Sequence, residues 1–352
     1  MAFSDKLEAW YNDCGRTLPW RGIDDPYRIW LSEIILQQTR IEQGRDYWLR
    51  FVETFPTVAD LAAASEEQVL RLWQGLGYYS RARNLHAAAQ YIMNECGGTF
   101  PNTYEGIRKL KGVGRYTAAA IASFAFRLPY PVIDGNVYRF ISRLHGISTP
   151  IGTDTAYTEF EQLLLTPIDR RRPDRFNAAL MDFGSLQCRP TPDCATCPFA
   201  DECVALRTGR VSLLPVKVPK SKPVDRWFYY FVLRWEAPDG RHTLMQRRTG
   251  NDIWRGLWQF PLLETDTELD EQQLQREAAR FMQEHFQLTG LNFTITPLCR
   301  HQLTHRTIHA RFLSAEVAAR PSVSPADTCA ATFPEIKKMP LPRLIDRYLQ
   351  EL

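Results

Sequence analysis

Two glycine turns in residues 108–139 constrain the fold more than any other feature of the sequence. Gly112 and Gly114 lie one residue apart, between a charged helical segment and a run of small residues that begins at Tyr116. Glycine can adopt positive φ and allows close backbone approach, so this turn can present N–H groups to a phosphate at a helix N-terminus. Asp134 then lies among apolar residues at the second glycine turn. On spacing alone, a helix–helix turn followed by a capping aspartate is the alternative.

The length and composition are typical of a globular protein with two domains. The 352 residues are 44% hydrophobic and 24% charged, with a net charge of +3. Residues 1–206 carry 22 Lys+Arg against 24 Asp+Glu (−2), which leaves 21 against 16 (+5) for residues 207–352. A phosphate-binding surface in the first part is therefore expected to be a local patch. The absence of a secretory signal or a membrane-spanning apolar run predicts a cytoplasmic protein without a membrane partner.

Glu33 is a carboxylate within the apolar segment between Trp30 and Leu36, in a helix predicted from about Tyr27. Burial in such surroundings raises the pKa of a carboxyl group and lets it hold a proton near neutral pH. A solvated helix residue is the alternative.

A second segment, residues 73–84, combines glycines, adjacent tyrosines and two arginines. Aromatic side chains in such a loop can unstack duplex DNA, although a helix C-cap with core tyrosines fits as well.

Four of the eight cysteines form a compact group with the spacing C-x5-C-x2-C-x5-C, namely Cys188, Cys194, Cys197 and Cys203. This spacing predicts a metal site, because two to five intervening residues allow thiolates to converge on zinc or on an iron–sulfur cluster. The other four cysteines are scattered, which favours a reduced compartment over a disulfide framework.

The pattern of secondary structure changes after residue 206. Apolar periodicity before it predicts helices over about 5–20 and 58–72, and one or two helices over 154–187. Residues 207–226 contain three prolines spaced by four and six basic residues against one acidic residue, which predicts an extended basic linker. From Trp227 the pattern predicts strands, a helix at about 270–287 and a final helix at 341–350.

These segments together resemble the MutY family of adenine DNA glycosylases, in the helix-hairpin-helix or endonuclease III superfamily. The similar strings are L-K-G-V-G followed by V-I-D-G-N-V, W-L-S-E-I-I-L-Q-Q-T-R, G-L-G-Y-Y-S-R-A-R-N and the cysteine group. The resemblance extends from about residue 5 to residue 350. It implies a mostly α helix-hairpin-helix glycosylase domain at 1–206 with an iron–sulfur cluster loop at 188–203. The linker at 207–226 then leads to a smaller α+β Nudix-like lesion-recognition domain at 227–352.

The resemblance also implies a function. It indicates a base-excision-repair glycosylase that hydrolyses the N-glycosidic bond of adenine opposite 8-oxoguanine or guanine in double-stranded DNA, without cutting the strand. Glu33 is implied as the acid that protonates adenine, and Asp134 as the carboxylate that stabilises the sugar cation or traps it covalently. Tyr116 occupies the position where bifunctional relatives carry a lysine that forms a Schiff base. Asn136 is implied as a hydrogen-bonding residue beside these groups.

The remaining site residues follow from the same resemblance. The implied substrate-binding residues are Trp20, Arg21, Leu36, Gln37, Gln38, Thr39, Tyr78, Gly112, Gly114, Leu303, Thr304 and His305. The cofactor implied for Cys188, Cys194, Cys197 and Cys203 is a [4Fe–4S] cluster, with zinc as the alternative. Within the implied set, Tyr78 is the wedge beside the damaged guanine, and Thr304 is the hydroxyl that reads 8-oxoguanine.

The sequence departs from the MutY pattern at several positions. Lys111 replaces a proline, Ala178 replaces a Gln or Glu near the adenine, Leu303 replaces an aromatic residue, and the first cysteine gap is one residue shorter. Arg280 and Phe281 stand where a Nudix hydrolase needs metal-binding acids, so we expect no pyrophosphate hydrolysis. Two other functions are considered: a mismatch thymine glycosylase of the same superfamily, and a non-catalytic iron–sulfur protein that binds damaged DNA. Glu33 and the implied lesion-reading second domain argue against the first. Glu33 together with Asp134 argues against the second.

Overall fold

The computed structural model describes residues 2–219 and 222–351. Two compact units are present, one formed by Met1–Ala64 with Arg83–Pro219 and the other by Ser65–Ala82 with Lys220–Leu352. Four positions lie outside the described residues. Positions 220 and 221 belong to the predicted linker at 207–226, and positions 1 and 352 are the outer limits of the two predicted domains. Among the residues described, no helix is long and apolar enough to cross a membrane.

Residues 2–219 are helical, as the apolar periodicity predicts. The α-helices are α1 Phe3–Cys14, α2 Pro26–Ile35, α3 Ile41–Thr54, α4 Val58–Ala63, α5 Glu66–Leu72, α6 Ser80–Glu95, α7 Tyr104–Arg108, α8 Arg115–Phe126, α9 Gly135–His145, α10 Asp154–Leu165, α11 Pro173–Asp182 and α12 Val204–Arg207. A π-helix follows α11 at Phe183–Gln187, and a 3₁₀ turn lies at Ala200–Glu202.

Two predicted helices have different bounds in the structure. The helix expected over 5–20 ends at Cys14, because Gly15 is extended and Pro19 follows within a short distance. The helix expected over 58–72 is two helices, since Ala64 is extended and the Ser65 side chain caps the N-terminus of α5.

The first unit is organised around α8, whose residues from Thr117 to Ser123 are buried. Its run of alanines leaves little side-chain bulk, so α2 and α11 pack closely against it. A second cluster of aromatic rings, including Phe140, Phe160 and Phe183, fills the space beside α9 and α11. The helices that carry Glu33 and Tyr116 are thus held together by the core.

The second unit contains a mixed sheet. Its strands are β1 Val224–Ala237, β2 Gly240–Arg247, β3 Trp258–Gln259, β4 Leu262–Thr265, β5 Thr294–Ile295, β6 Cys299–Gln302, β7 Arg306–Glu316 and β8 Thr328–Thr332, and its helices after residue 221 are α13 Glu271–Phe286, α14 Phe333–Ile336 and α15 Arg343–Gln350. Strand β1 pairs parallel to β7 and antiparallel to β2 and β4. Its residues Phe228 to Leu233 are fully buried, as expected of a central strand.

The predicted α+β character of the C-terminal part agrees with this architecture. Helix α13 packs its apolar face, including Leu274 and Met282, against the sheet. The segment expected to read the lesion is the tip of the hairpin between β6 and β7, where Leu303 donates its N–H to the carbonyl of Arg306 at 2.8 Å. Arg280 on α13, at one of the positions where a Nudix hydrolase would need an acid, pairs with Glu277 at 2.7 Å.

Candidate active site

Glu33 and Tyr116 meet because α2 packs against α8. Glu33 is only 7% exposed. Burial raises the pKa of Glu33 to about 7. A hydrogen bond from Tyr116 and the charge of Arg21 lower this pKa, whereas the charge of Asp134 raises it. The pKa of Tyr116 lies well above its usual value, chiefly because the phenol is buried. Glu33 can therefore hold a proton at neutral pH and release it to a bound base.

Asp134 is the N-cap of α9, and its carboxylate is held by three hydrogen bonds. Its Oδ1 accepts from the backbone N–H groups of Asn136 and Val137, both at 2.8 Å, and its Oδ2 accepts from the side-chain amide of Asn136 at 2.7 Å. Burial raises the pKa of Asp134, and these hydrogen bonds lower it. The residue is thus both a capping aspartate and a fixed carboxylate near Glu33.

Arg21 belongs to the same site. Its guanidinium lies 5.4 Å from the ring centroid of Phe124, and its charge acts on both Glu33 and Tyr116. The other two residues predicted to line the adenine pocket make different contacts. Trp20 is buried with its ring 5.7 Å from that of Trp48, and Leu36 caps the C-terminus of α2. Their role in binding adenine stays a prediction.

Two residues of the site were not predicted from the sequence. Asp182 is fully buried and accepts hydrogen bonds from Arg16 through the backbone N–H at 2.9 Å and through Nε at 3.1 Å. It also lies 3.6 Å from the Arg21 guanidinium, so it anchors the cation beside Glu33. The signal in the sequence was a single acid within the apolar end of α11. Arg139 is the second residue; it lies one helical turn after Asn136 and donates to its side-chain oxygen at 2.9 Å.

The segment after α2 forms a tight turn that carries the predicted base-stack probe. The Gln37 side chain donates to the Thr117 hydroxyl at 3.2 Å, which ties the turn to buried α8. Gln38 has a φ of 56°, an uncommon value for a residue with a side chain. Thr39 donates its N–H to the carbonyl of Leu36 at 3.2 Å.

The first glycine turn differs from the prediction in one respect. Gly112 has a φ of 81°, and an added Cβ would lie 2.8 Å from the Cβ of Asn84, so both its conformation and its packing require glycine. Gly114 is instead extended, with a φ of −86° as the N-cap of α8, and an added Cβ would meet nothing within 4 Å. Positive φ is therefore needed at Gly112 alone, and Gly114 leaves open space at the N-terminus of α8.

Within the second unit, the structure brings together two residues predicted to read the lesion. Tyr78 has a φ of 47° and is 43% exposed, and its hydroxyl contacts that of Thr304. Thr304 lies at the tip of the β6–β7 hairpin, next to His305, whose carbonyl accepts from Val224 at 3.0 Å. The predicted wedge, Tyr78, and the predicted lesion-reading hydroxyl, that of Thr304, therefore lie together on an exposed part of this unit.

The four clustered cysteines line one small cavity between α9 and the residues that follow the π-helix. Arg143 lies over it, with its guanidinium 3.6 Å from the Cys188 thiol and hydrogen bonds to the carbonyls of Arg189 and Pro190. Burial, with smaller contributions from the neighbouring thiols, raises the pKa of Cys197 to about 11. Within the described ranges, no three His, Cys, Asp or Glu side chains are placed to hold a metal ion.

Comparison with known proteins identifies relatives of both parts of the chain. Residues 31–165 match the HhH-GPD superfamily base excision DNA repair proteins, and residues 229–351 match the NUDIX domain. The adenine DNA glycosylase of Buchnera aphidicola subsp. Baizongia pistaciae is 34% identical over 268 residues, which cover 74% of each chain. The human adenine DNA glycosylase is 33% identical over 79% of this chain and 60% of its own.

Solved structures show the same fold for the helical part. A thermostable thymine-DNA glycosylase superimposes with a TM-score of 0.55 and 27% identity, covering 58% of this chain and 95% of its own. An endonuclease III–DNA covalent intermediate superimposes with a TM-score of 0.52 at 22% identity, over 58% of this chain and 94% of its own. Together with the two family matches, these likenesses confirm the helix-hairpin-helix glycosylase domain and the Nudix-like α+β domain of the predicted fold class. The iron–sulfur cluster loop stays a prediction.

Proposed function

The chain belongs to the adenine DNA glycosylase family, and from that premise we propose that it excises adenine opposite 8-oxoguanine or guanine in duplex DNA. As a member of this family, it is a base-excision-repair enzyme that hydrolyses N-glycosyl bonds, and DNA is its partner. The observation that carries the proposed mechanism is the burial of Glu33 beside Asp134, because it gives two carboxyl groups different tasks. The proposed form is a monomer that works at the nucleoid, where its duplex substrate is found.

In the proposed mechanism, Glu33 donates a proton to N7 of the extruded adenine. Adenine leaves poorly as an anion and readily once a ring nitrogen is protonated, so this step lowers the barrier to breaking the glycosidic bond. Loss of the base leaves positive charge on the sugar, which the carboxylate of Asp134 stabilises directly or by a bond to C1′. Glu33, now ionised, accepts a proton from the water that attacks C1′.

Tyr116 and Asn136 act on the two carboxyl groups in this proposal. Tyr116 donates to Glu33 and limits how far its pKa rises, and Asn136 orients Asp134 through the bond at 2.7 Å. A phenol cannot form the Schiff base by which a lysine cleaves the strand, so the product is an intact strand with an abasic site.

The proposed substrate contacts divide into three groups. Adenine is bound by Trp20, Arg21 and Leu36, the duplex by Gln37, Gln38, Thr39, Gly112 and Gly114, and the 8-oxoguanine by Tyr78, Leu303, Thr304 and His305. The contact between the Tyr78 and Thr304 hydroxyl groups supports the third group, since both side chains must reach one lesion. The glycosylase domain is proposed at 1–206, the linker at 207–226 and the lesion-recognition domain at 227–352.

We propose a [4Fe–4S] cluster as the cofactor held by Cys188, Cys194, Cys197 and Cys203. The four soft thiol ligands fit such a cluster, and Arg143 and Arg139 offset the charge of the Cys188 thiolate. Zinc, which four thiolates can also bind, is the alternative. When bound, the cluster cross-links residues 188–203. Iron and acid-labile sulfide analysis, against zinc content, decides between them.

Base release from defined duplexes tests the proposed reaction. Single-turnover assays with adenine opposite 8-oxoguanine, adenine opposite guanine and thymine opposite guanine should show adenine release, with strand breaks only after alkali. Glu33→Gln should bind the first duplex as tightly as the wild type and release adenine at least about 100-fold more slowly. Glu42→Gln, on the exposed first turn of α3, is the matched control and should retain full activity.

Two outcomes would contradict the proposal. Release of thymine in place of adenine would identify a mismatch thymine glycosylase, the activity named for the structural relative at 27% identity. Tight binding without release of either base by the wild type would identify a non-catalytic DNA-damage-binding protein.

A further inference from the structure

We propose that Arg81 is a positioning residue that holds Tyr78 as a preformed wedge, an inference that rests on the proposed role of Tyr78 in lesion reading. Arg81 lies at the start of α6, three residues after Tyr78, and the turn between α5 and α6 closes around it. Its side chain points back into this turn and is 9% exposed. Tyr78, by contrast, is 43% exposed, so the inferred task of Arg81 is to fix the backbone from which Tyr78 projects.

Arg81 binds three successive carbonyl groups of the turn. Its Nη2 donates to Leu76 at 3.2 Å and to Gly77 at 3.3 Å, and its backbone N–H donates to Tyr78 at 2.8 Å. Loop carbonyls of this kind would otherwise be satisfied by water, which allows the loop to change conformation. The guanidinium therefore fixes the two peptide groups that precede Tyr78, and the backbone N–H, which every variant at this position keeps, holds the carbonyl that follows it.

Two aromatic rings hold the guanidinium in place. Its carbon lies 5.0 Å from the ring centroid of buried Trp73 and 5.7 Å from that of Tyr78. Trp73 also donates its indole N–H to the Gly77 carbonyl at 3.0 Å. The planar guanidinium can stack on rings and donate two hydrogen bonds at once, whereas the ammonium group of a lysine cannot do both.

The conformation of the turn explains why such a clamp is needed. Gly75, Gly77 and Tyr78 all have positive φ, and for a tyrosine this conformation is unfavourable. A buried guanidinium is itself costly unless it is paired, and burial lowers the pKa of Arg81 to about 10, which keeps it charged at neutral pH. The clamp stabilises a turn that the chain would not adopt unaided.

The consequence for DNA binding is preorganisation. A wedge that already has its bound conformation loses little entropy on insertion, so more of the stacking free energy contributes to lesion affinity. Arg81 acts through Tyr78 in this scheme, and its own side chain faces the protein. Its removal should therefore weaken DNA binding only insofar as Tyr78 is present.

A double-mutant cycle tests this dependence. The variants are Arg81→Met, Arg81→Lys, Tyr78→Ala and the Arg81→Met/Tyr78→Ala double variant, each checked for unchanged melting temperature and visible absorption. The readouts are the Kd for a duplex with adenine opposite 8-oxoguanine and the fluorescence of 2-aminopurine placed next to the lesion, which reports unstacking. If Arg81→Met does not fold, Arg81→Lys takes its place in the double-mutant cycle.

Arg81→Met, Arg81→Lys and Tyr78→Ala should each lose about tenfold in affinity together with the unstacking signal, and the double variant should be no worse than Tyr78→Ala. Additive losses in the double variant, or an unstacking signal that survives in both Arg81 variants, would overturn the proposal. Failure of the proposed function is distinguishable, since it appears as no effect of Tyr78→Ala on lesion affinity or as no adenine release by the wild type.

Discussion

Arg139 donates a hydrogen bond from Nη2 to the side-chain oxygen of Asn136 at 2.9 Å. Its Nε donates to the carbonyl of Cys188 at 2.8 Å, and the same guanidinium binds the carbonyl of Gly184. Asn136 in turn donates to Asp134, so hydrogen bonds run continuously from Cys188, the first cysteine of the proposed cluster loop, to a proposed catalytic carboxylate. The orientation of Asp134 therefore depends on how that loop is folded.

Arg139→Met should slow adenine release by about tenfold or more, because a hydrogen bond to a group that orients a charged carboxylate is typically of that strength. The methionine keeps an unbranched side chain at this position of α9 and removes every side-chain donor. Single-turnover rates measure the effect, with iron content as a check that the cluster remains. Arg175→Met, which removes a surface pair with Glu8, is the control and should leave the rate unchanged. Equal rates for wild type and Arg139→Met would show that Asp134 is oriented without the loop.

Glu33→Gln should make the protein more stable at pH 8 than the wild type. The folded state holds the Glu33 proton with a pKa of about 7, above the usual 4.5, so ionisation destabilises the fold as the pH rises between these values. Glutamine does not titrate, and its gain should reach about 3 kcal/mol above pH 7 and vanish near pH 4. Urea unfolding of both proteins at pH 5 and pH 8 measures the difference. A gain that is the same at both pH values would contradict a raised pKa.

Tyr116→Phe should move the pH dependence of adenine release to higher pH. The phenol donates to ionised Glu33 and lowers its pKa, so without it the pKa of Glu33 rises above about 7 and the acid form persists longer. The quantity to measure is the pH at which the rate of adenine release falls to half of its maximum as the pH increases. Tyr138→Phe removes a hydroxyl outside the site, on the ring that packs edge-on against Phe160, and should leave the profile in place. A profile that moves to lower pH would assign the opposite role to Tyr116.

Local signals in the sequence predicted the parts of the site that lie within one element. Glu33 is flanked by apolar residues, and its burial follows from that pattern. Asp134 precedes Gly135 and Asn136, and this short string encodes both the helix cap and the orientation of the carboxylate. The helix predicted at 270–287 and the strands after Trp227 follow from periodicity in the same way.

Contacts between distant segments could not be predicted in this way. Arg16 and Asp182 are separated by 166 residues, and neither has a neighbour in the sequence that indicates the other. The grouping of residues 65–82 with the second unit is equally hidden, because it depends on contacts such as that of the Tyr79 hydroxyl with the Leu341 carbonyl at 3.1 Å. Periodicity reports which face of an element is buried and carries no information about which partner covers it.

Gly184→Ala should damage the site, whereas Gly135→Ala should be tolerated. A Cβ at Gly184 would lie 2.5 Å from the backbone oxygen of Asn136, closer than any real contact, so the π-helix must move away from α9. That movement separates Arg139 from its carbonyl partners and releases Asn136 from its position beside Asp134. Gly135 begins α9 with open space around its Cα, and alanine is accommodated there.

We expect Gly184→Ala to lower the free energy of unfolding by about 1–3 kcal/mol and to slow adenine release, with Gly135→Ala close to the wild type in the free energy of unfolding. Chemical denaturation and single-turnover rates on the same preparations measure both quantities. Gly135 precedes Asn136 in the chain, and Gly184 packs against the Asn136 backbone. Comparison of the two variants therefore separates the requirement for close backbone approach from a general effect of an added methyl group. Equal losses in the two variants would show that the close contact between the π-helix and α9 is not what positions Asp134.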